Sequence, residues 1–448
     1  MALTSEVLRQ PGQVEIDSIY LVSFTKGTFT NLKDYLVEIV IYESIFNPFV
    51  TGELLISDSR NLIREMNLIG EEFLQVSIRT PTFGSDLSIT KAFRVYSIDK
   101  KNYVKDGDTI LYKMQFTSIE TFIDLSNPIY KAFSGNPHQI VGNIFKDYLL
   151  SDRVLKGGDI DFPAVNSLTV FGESSNILKF VSPGWSPVQC INWIASKSVP
   201  VNNKAANYLF WETTKGFYFG NIGEAIRRQE ASSIGTYNYS MSLVNNLSEE
   251  DRNNNLFMYS IRSLEVETTF DQLKNMDAGY VSNRLIDVDL LTKSYENVDY
   301  DHGANFNLYD HMQNGEAKPL FETQINRNPL TYKVLNYKHK SLYTDYNDNF
   351  DTKIKNIFGN RRANLIELEN FQMRLTIPGR TDIEVGRTIN INLPKNQPGA
   401  LQNPVGYQPD EIYSGYYLIT SIAHKINPRT HFITMNVTKD SFPAEVFR

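Results

Sequence analysis

The last ninety residues hold the sharpest patterning in the chain, an alternation of apolar and polar side chains with a period of two that fits a strand and misfits a helix. Ile389, Ile391 and Leu393 alternate with Thr388, Asn390 and Asn392, and Ile433, Met435 and Val437 alternate with Thr434 and Asn436. Successive strand residues point to opposite faces, so each segment buries one face and leaves the other wet. Pro378-Gly379 is a turn in which glycine can supply a positive φ, and the strands on either side of it are expected to form a hairpin-linked sheet. From Val14 to about Ile119 shorter runs of the same kind recur. Tyr35, Val37, Ile39 and Ile41 share one parity, Asn47-Pro48 and Thr51-Gly52 interrupt the chain before Glu53-Leu54-Leu55-Ile56, and Asp106-Gly107 separates two further runs. This region reads as a closed antiparallel barrel or sandwich.

The middle of the chain is patterned differently. Asn136-Pro137 is an N-cap and first-turn pair followed by Ile140, Ile144, Phe145 and Tyr148 at helical spacing, which predicts a helix to about Leu149. A second helix is expected from Ser186-Pro187, with Val188, Ile191, Ile194 and Ala195 on one face. Tyr208–Glu212 and Gly216–Gly220 read as a hairpin. Strands resume near Met258, with Leu264 and Val266 alternating with Glu265 and Glu267, and continue through Arg284–Asp289. A polar span rich in Asn, Asp and Tyr follows, then a short helical stretch over Arg361–Glu369. The expected architecture is mainly β with α+β parts. A first β-barrel domain occupies residues 1–122, an α+β domain 123–245, a second β-barrel domain 246–300 together with 361–448, and a polar insertion or peripheral lobe 301–360. No sequence repeat links the two barrels, so any kinship between them must lie in structure alone.

Composition excludes several functions. A net charge of −7 argues against a large basic surface for nucleic acid. The one cysteine, Cys190, rules out an intramolecular disulfide framework and a cysteine-rich metal site; it reads as a small buried hydrophobe on a helix and fits assembly in a reducing cytoplasm. The N-terminus lacks a basic segment followed by an apolar run, and no stretch of about 18 apolar residues occurs, so neither a signal peptide nor a membrane span is expected. There is no Gly-rich phosphate loop, HExxH, CxxC or GxSxG. The six histidines, His138, His302, His311, His339, His424 and His431, lack metal-ligand spacing. His424 and His431 flank a hairpin and are read as surface histidines rather than ligands. Asp287 and Asp289 share a strand parity with Asp299 and Asp301 nearby, a pairing a glycosidase would need, but a solvated strand face is the simpler reading. No enzyme activity, cofactor or metal is expected.

Two segments carry a resemblance. Phe371–Arg380, with its strand ending in Pro378-Gly379, then Ile383-Glu384-Val385-Gly386-Arg387, then Ser414-Gly415-Tyr416-Tyr417-Leu418-Ile419-Thr420-Ser421-Ile422-Ala423-His424-Lys425, resemble in order and spacing the closing barrel of contractile-tail phage baseplate hub proteins. That family also includes the hub part of secretion-system spikes. Tyr42–Phe46, Val50-Thr51-Gly52, Leu55–Asp58 and Leu68-Ile69-Gly70-Glu71-Glu72 look like its first barrel. The resemblance implies two tail-tube-like barrels with an α+β domain between them and a further domain inserted in the second. It also implies a homotrimer whose six barrels match a sixfold tail tube to a threefold central spike, around a channel through which DNA passes without specific binding. The implied partners are the spike, the tail tube or a tube-initiator protein, and the surrounding baseplate wedge proteins; the implied location is the virion tail baseplate. Gly52, Gly70, Pro378, Gly379, Gly386 and Gly415 are the expected structural turns, and Glu265 and Glu267 the candidates to face the channel. The alternatives are a carbohydrate-binding or wall-degrading tail protein, and the hub part of a secretion-system spike. Spike chains of that kind continue into a β-helix, whereas this sequence ends at Phe447-Arg448, so a separate spike is expected.

Overall fold

A computed structural model describes residues 11–23, 26–81, 88–103, 109–150, 156–157, 160–161, 167–201, 205–227, 233–239, 256–268, 271–290, 293–312, 317–319, 333–338, 355–395 and 409–443. His339 and much of the polar span after residue 312 lie outside the described residues. Thirteen strands form one sheet. Its strands are β1 (Glu15–Ser23), β2 (Thr28–Asn31), β3 (Leu36–Ser44), β4 (Thr51–Asp58), β5 (Phe73–Arg79), β6 (Ile89–Tyr103), β7 (Ile110–Ser118), β8 (Ser233–Asn238), β9 (Ser263–Thr268), β10 (Gln372–Pro378), β11 (Thr388–Asn392), β12 (Gly415–Ile426) and β13 (His431–Thr438). The main path runs β9-β10-β13-β12-β3-β4-β7-β6-β5-β1-β2, with β11 also on β12 and β8 on β11.

The path contains the same arrangement twice. The first half is ordered β3-β4-β7-β6-β5-β1 and the second β9-β10-β13-β12-β11-β8; counted along the chain, both are second, third, sixth, fifth, fourth, first. One bulge recurs in both halves, while β6 carries a second irregularity between Asp99 and Asn102 that β12 lacks. β6 bulges between Val95 and Ser97 against β7, and β12 bulges between Ile419 and Ser421 against β13. Just before each bulge a loop carbonyl accepts a backbone bond, Val95 N–H to Glu72 at 2.9 Å and Ile419 N–H to Arg387 at 2.9 Å. One ladder differs in sense: β1 is antiparallel to β5 and β8 is parallel to β11.

Each half wraps an apolar interior. Ile19, Ile39, Ile56, Val76, Phe93 and Met114 meet in the first, and Met373, Ile389, Tyr417, Ile433 and Val437 in the second. Neither closes a hydrogen-bonded circuit among the described residues, so the expected closed barrels are two curled halves of one sheet. β12 is the reason. Its first half, Gly415–Leu418, pairs with β11, but Ser421–Ile426 continues past the end of β11 and on that same side takes β3 as partner. Ile45 sits in the second interior and Ile426 in the first, so the two cores are stitched together at this seam.

The α+β region packs beside the seam. The helix expected at 137 runs over Pro137–Ile144 and continues as one π-turn to Leu149; the second spans Pro187–Ser196, with Ser186 and Gln189 forming a reciprocal capping box and Cys190 buried among its apolar residues. Tyr208–Glu212 and Phe217–Asn221 form the expected hairpin, joined in parallel by Leu168–Phe171. Between 258 and 301 the strands divide. Only β9 joins the large sheet, while Ser282–Asp289 lies between Ser294–Asp301 and Lys333–Lys338 in a separate sheet. The buried side of Ser282–Asp289 carries Asn283, Asp287 and Asp289, which an apolar barrel interior would not accept.

Candidate assembly site

Where the halves and the α+β hairpin meet, buried polar groups take the place of apolar packing. Glu212, at the end of its strand, is fully buried and pairs with Lys91 of β6, itself 2% exposed. The other Glu212 oxygen accepts from Val50 N–H at 2.8 Å and Ser118 Oγ at 2.5 Å. Glu43 of β3 reaches the opposite way, accepting from Thr214 N–H at 2.7 Å and Val385 N–H at 3.4 Å. Burial pushes its carboxyl up to about 7 despite those amide donors. Glu120, buried beside Glu212, is likewise pushed up to about 7, first by burial and then by its neighbour's charge. Thr80 and Thr381 exchange bonds of 3.3 and 3.1 Å, each backbone N–H donating to the other's hydroxyl. A buried group deprived of its partner costs more than the pair contributes, so each bridge holds one relative placement of the three regions.

His424 and His431 belong to this seam, not to the surface where the sequence reading put them. Both are fully buried, with Nδ1 of His424 3.1 Å from Nε2 of His431. His424 lies opposite Ile41 across the β12–β3 ladder, and the main chain of His431 bonds Gly12 and Gly379 on either side. Burial, with the Lys215 charge against that of Asp382, pulls His424 down to about 3, and burial with His424 beside it holds His431 well below its ordinary value. The missed signal was parity: His424 shares that of Ile422 and Ile426, and His431 that of Ile433 and Met435. Among the described residues no three metal-ligating side chains cluster.

The expected turn residues occupy different settings. Gly52 lies within β4, where a Cβ would meet the Phe116 ring and, at 2.5 Å, the Val40 carbonyl. Pro378 ends β10, and the His431 ring occupies the space a Cβ on Gly379 would need. Gly70, Gly386 and Gly415 have φ of 89°, 81° and 122°. Glu265 and Glu267 are exposed on the edge strand β9, with Glu267 paired to Arg374. Asp287 and Asp289 are buried rather than solvated, and Asp299 is held by both Arg284 nitrogens at 2.5 and 2.7 Å. That grip lowers the Asp299 carboxyl below its ordinary range. The wet face of the sheet carries opposed charges in pairs, Glu38 with Lys425 at 3.2 Å and Glu53 with Lys113 at 2.7 Å, and continues across the seam without a break.

No protein-family model matches the sequence, and no curated protein does. Solved structures share its path. The tail protein from Neisseria meningitidis MC58 aligns with a TM-score of 0.52 at 9% identity, covering 94% of this chain and 96% of its own. The chain has the fold of that tail protein. The 43 kDa tail protein of prophage MuSo2 from Shewanella oneidensis carries it too, with a TM-score of 0.50 at 9% identity over 94% of this chain and 98% of that one. At 9% identity the tail-protein likeness lies in the chain path, preserved through side chains that differ almost everywhere.

Proposed function

We propose that the chain is a structural baseplate hub of a phage tail. It acts as a homotrimer that adapts a sixfold tail tube to a threefold central spike, and its sheet lines a channel for DNA. The observation that carries this reading is the double strand order. One chain holds two topologically equivalent halves, so three chains offer six similar surfaces upward and three copies of everything else downward. The buried Thr80–Thr381 and Glu43–Val385 bridges between the halves, and the pins of Lys91 and Glu43 to the α+β hairpin, support it, because a symmetry adaptor works only if its two similar halves stay rigidly spaced. Spike, tube or tube-initiator protein and wedge proteins are the partners of this reading, and the virion baseplate, assembled in the host cytoplasm, is its location. The balanced ion pairs on the wet face suit a wall past which phosphates move without being held. The wall-degrading alternative loses its carboxylate pair, since Asp287 and Asp289 are buried and Asp299 is tied to Arg284. Mass measurement of the chain assembled with its spike tests the proposal: three copies per complex are expected, and a monomer or dimer overturns it.

A further inference from the structure

The buried pair of Lys91 and Glu212 is arranged for more than charge neutralisation. Lys91 lies on the inward parity of β6, between Ile89 and Phe93, and its Nζ is 6.0 Å from the Phe93 ring centre and 5.7 Å from that of Phe217. An ammonium has three protons to donate, and among the described residues Glu212 Oε1 is the one hydrogen-bond acceptor this one has. Glu212 Oε2 is held differently, accepting from the Val50 N–H at 2.8 Å and from Ser118 Oγ at 2.5 Å. Two donors on one oxygen draw electron density from the carboxyl carbon and are placed to hold an oxyanion there. A second carboxyl, Glu120 in the first turn of the helix Ile119–Ser126, is buried close enough to respond to the charges of both Lys91 and Glu212. Nucleophile, polarised carboxyl carbon, oxyanion donors and proton carrier thus share one buried site. We propose that Lys91 Nζ and Glu212 Cδ join in an amide cross-link between β6 and the α+β hairpin.

The ion pair is the reactant of this step. One Nζ proton passes to Oε1 along their hydrogen bond, leaving an amine in contact with a carboxylic acid and one bond away from Cδ. The nitrogen lone pair attacks Cδ, and the C–N bond forms while Oε2 takes the charge between Val50 and Ser118. A second Nζ proton, relayed through Glu120, reaches Oε1; the Cδ–Oε1 bond breaks and Oε1 leaves as water. One amine and one carboxylic acid give one amide and one water, with no oxidant, cofactor or other reactant. Two groups fixed in contact act at effective concentrations on the order of 10⁵ M or more, and the burial of both side chains keeps solvent from the reverse attack. The product also suits the site better than the reactants. Three ammonium donors are replaced by one amide N–H, and the new carbonyl oxygen keeps both of its donors. Burial raises the Glu120 carboxyl to about 7, so near neutrality both of its forms are present to take and give the relayed proton.

The bond rests on these residues alone and stands or falls apart from the hub reading. The test uses the full chain, purified folded and held at neutral pH, with its intact mass measured under denaturing conditions. Most of the chain should weigh one water less than its sequence, and a proteolytic digest should contain the segment around Lys91 joined to that around Glu212. Lys91→Arg should show the full mass and no joined peptide. Ser118→Ala removes one oxyanion donor and should slow the bond's formation on the order of a hundredfold. Glu120→Gln should slow it too and flatten its dependence on pH around neutrality. The native chain decides the matter even where a variant fails to fold. A folded native chain that keeps its full mass overturns the proposal, and so does a missing water that maps elsewhere, such as to a ring closure at Asp106-Gly107.

Discussion

Lys91 of β6 and Glu212 of the α+β hairpin form an ion pair from which water is excluded, 121 positions apart in sequence. Two charges taken out of water are held at a cost, which close approach and the Val50 and Ser118 donors offset. Removing one partner leaves the other charge buried and unpaired. Lys91→Met or Glu212→Gln is expected to destabilise by about 3–5 kcal/mol, and the double variant by clearly less than the sum, since it strands no charge. Urea unfolding of the four proteins in a double-mutant cycle measures this; simple additivity would refute the pairing.

The seam combines opposed pH dependences. His424 and His431 are kept neutral by burial, so below their ordinary value of 6.5 the unfolded chain binds protons that the folded chain does not, and this share of stability falls toward acid. Glu43 and Glu120, raised from 4.5 to about 7, act in reverse: the folded chain keeps protons the unfolded chain has released, and this share falls as pH rises through that window. Between about 4.5 and 6.5 the two effects offset each other, so a shallow profile is expected there. Glu43→Gln removes one of the opposing carboxyls and should steepen the acid loss, read as the urea midpoint at pH 5 against pH 7.

At the alkaline end His311 works against Lys197 and Lys439, whose ammonium groups burial lowers to about 8. Burial lowers the His311 imidazolium, but the hydrogen bond and charge of Asp440 more than offset that and hold it up at about 9. Its contribution is complete below 6.5 and is lost as pH rises through 9. The His311 share, on the order of 2–3 kcal/mol between pH 6.5 and 9.5, is read as the difference in pH slope between the native chain and His311→Gln.

Gly52 tests close approach in the middle of a strand. With Phe116 and the Val40 carbonyl occupying the space of a Cβ, Gly52→Ala must push β3 and β7 away from β4. A cost of about 1–3 kcal/mol is expected. An unchanged thermal midpoint would show that the strands yield freely.

Alternation alone determined where the strands run and which side of most of them is dry. Ile389, Ile391, Ile433, Met435 and Val437 are all fully buried, while Asn390, Thr434 and Asn436 between them are partly wet. The helices at 137 and 187 were legible from their Pro and Ser signals for the same reason, that neighbours in sequence set them. The polar pins were half legible. Glu43 follows Ile39 and Ile41, Lys91 lies between Ile89 and Phe93, and His424 lies between Ile422 and Ile426, each a polar group on the apolar parity. Parity marks such a residue as buried but does not name its partner. Only the tertiary structure decided that Glu43 meets Thr214 and Val385, that Thr80 meets Thr381, and that β12 leaves β11 for β3. The polar partners lie 171 to 342 positions away, and a strand edge offers the same backbone groups to every candidate neighbour. Which neighbour it takes depends on how both cores pack around it, and that information is held by no local segment of the chain.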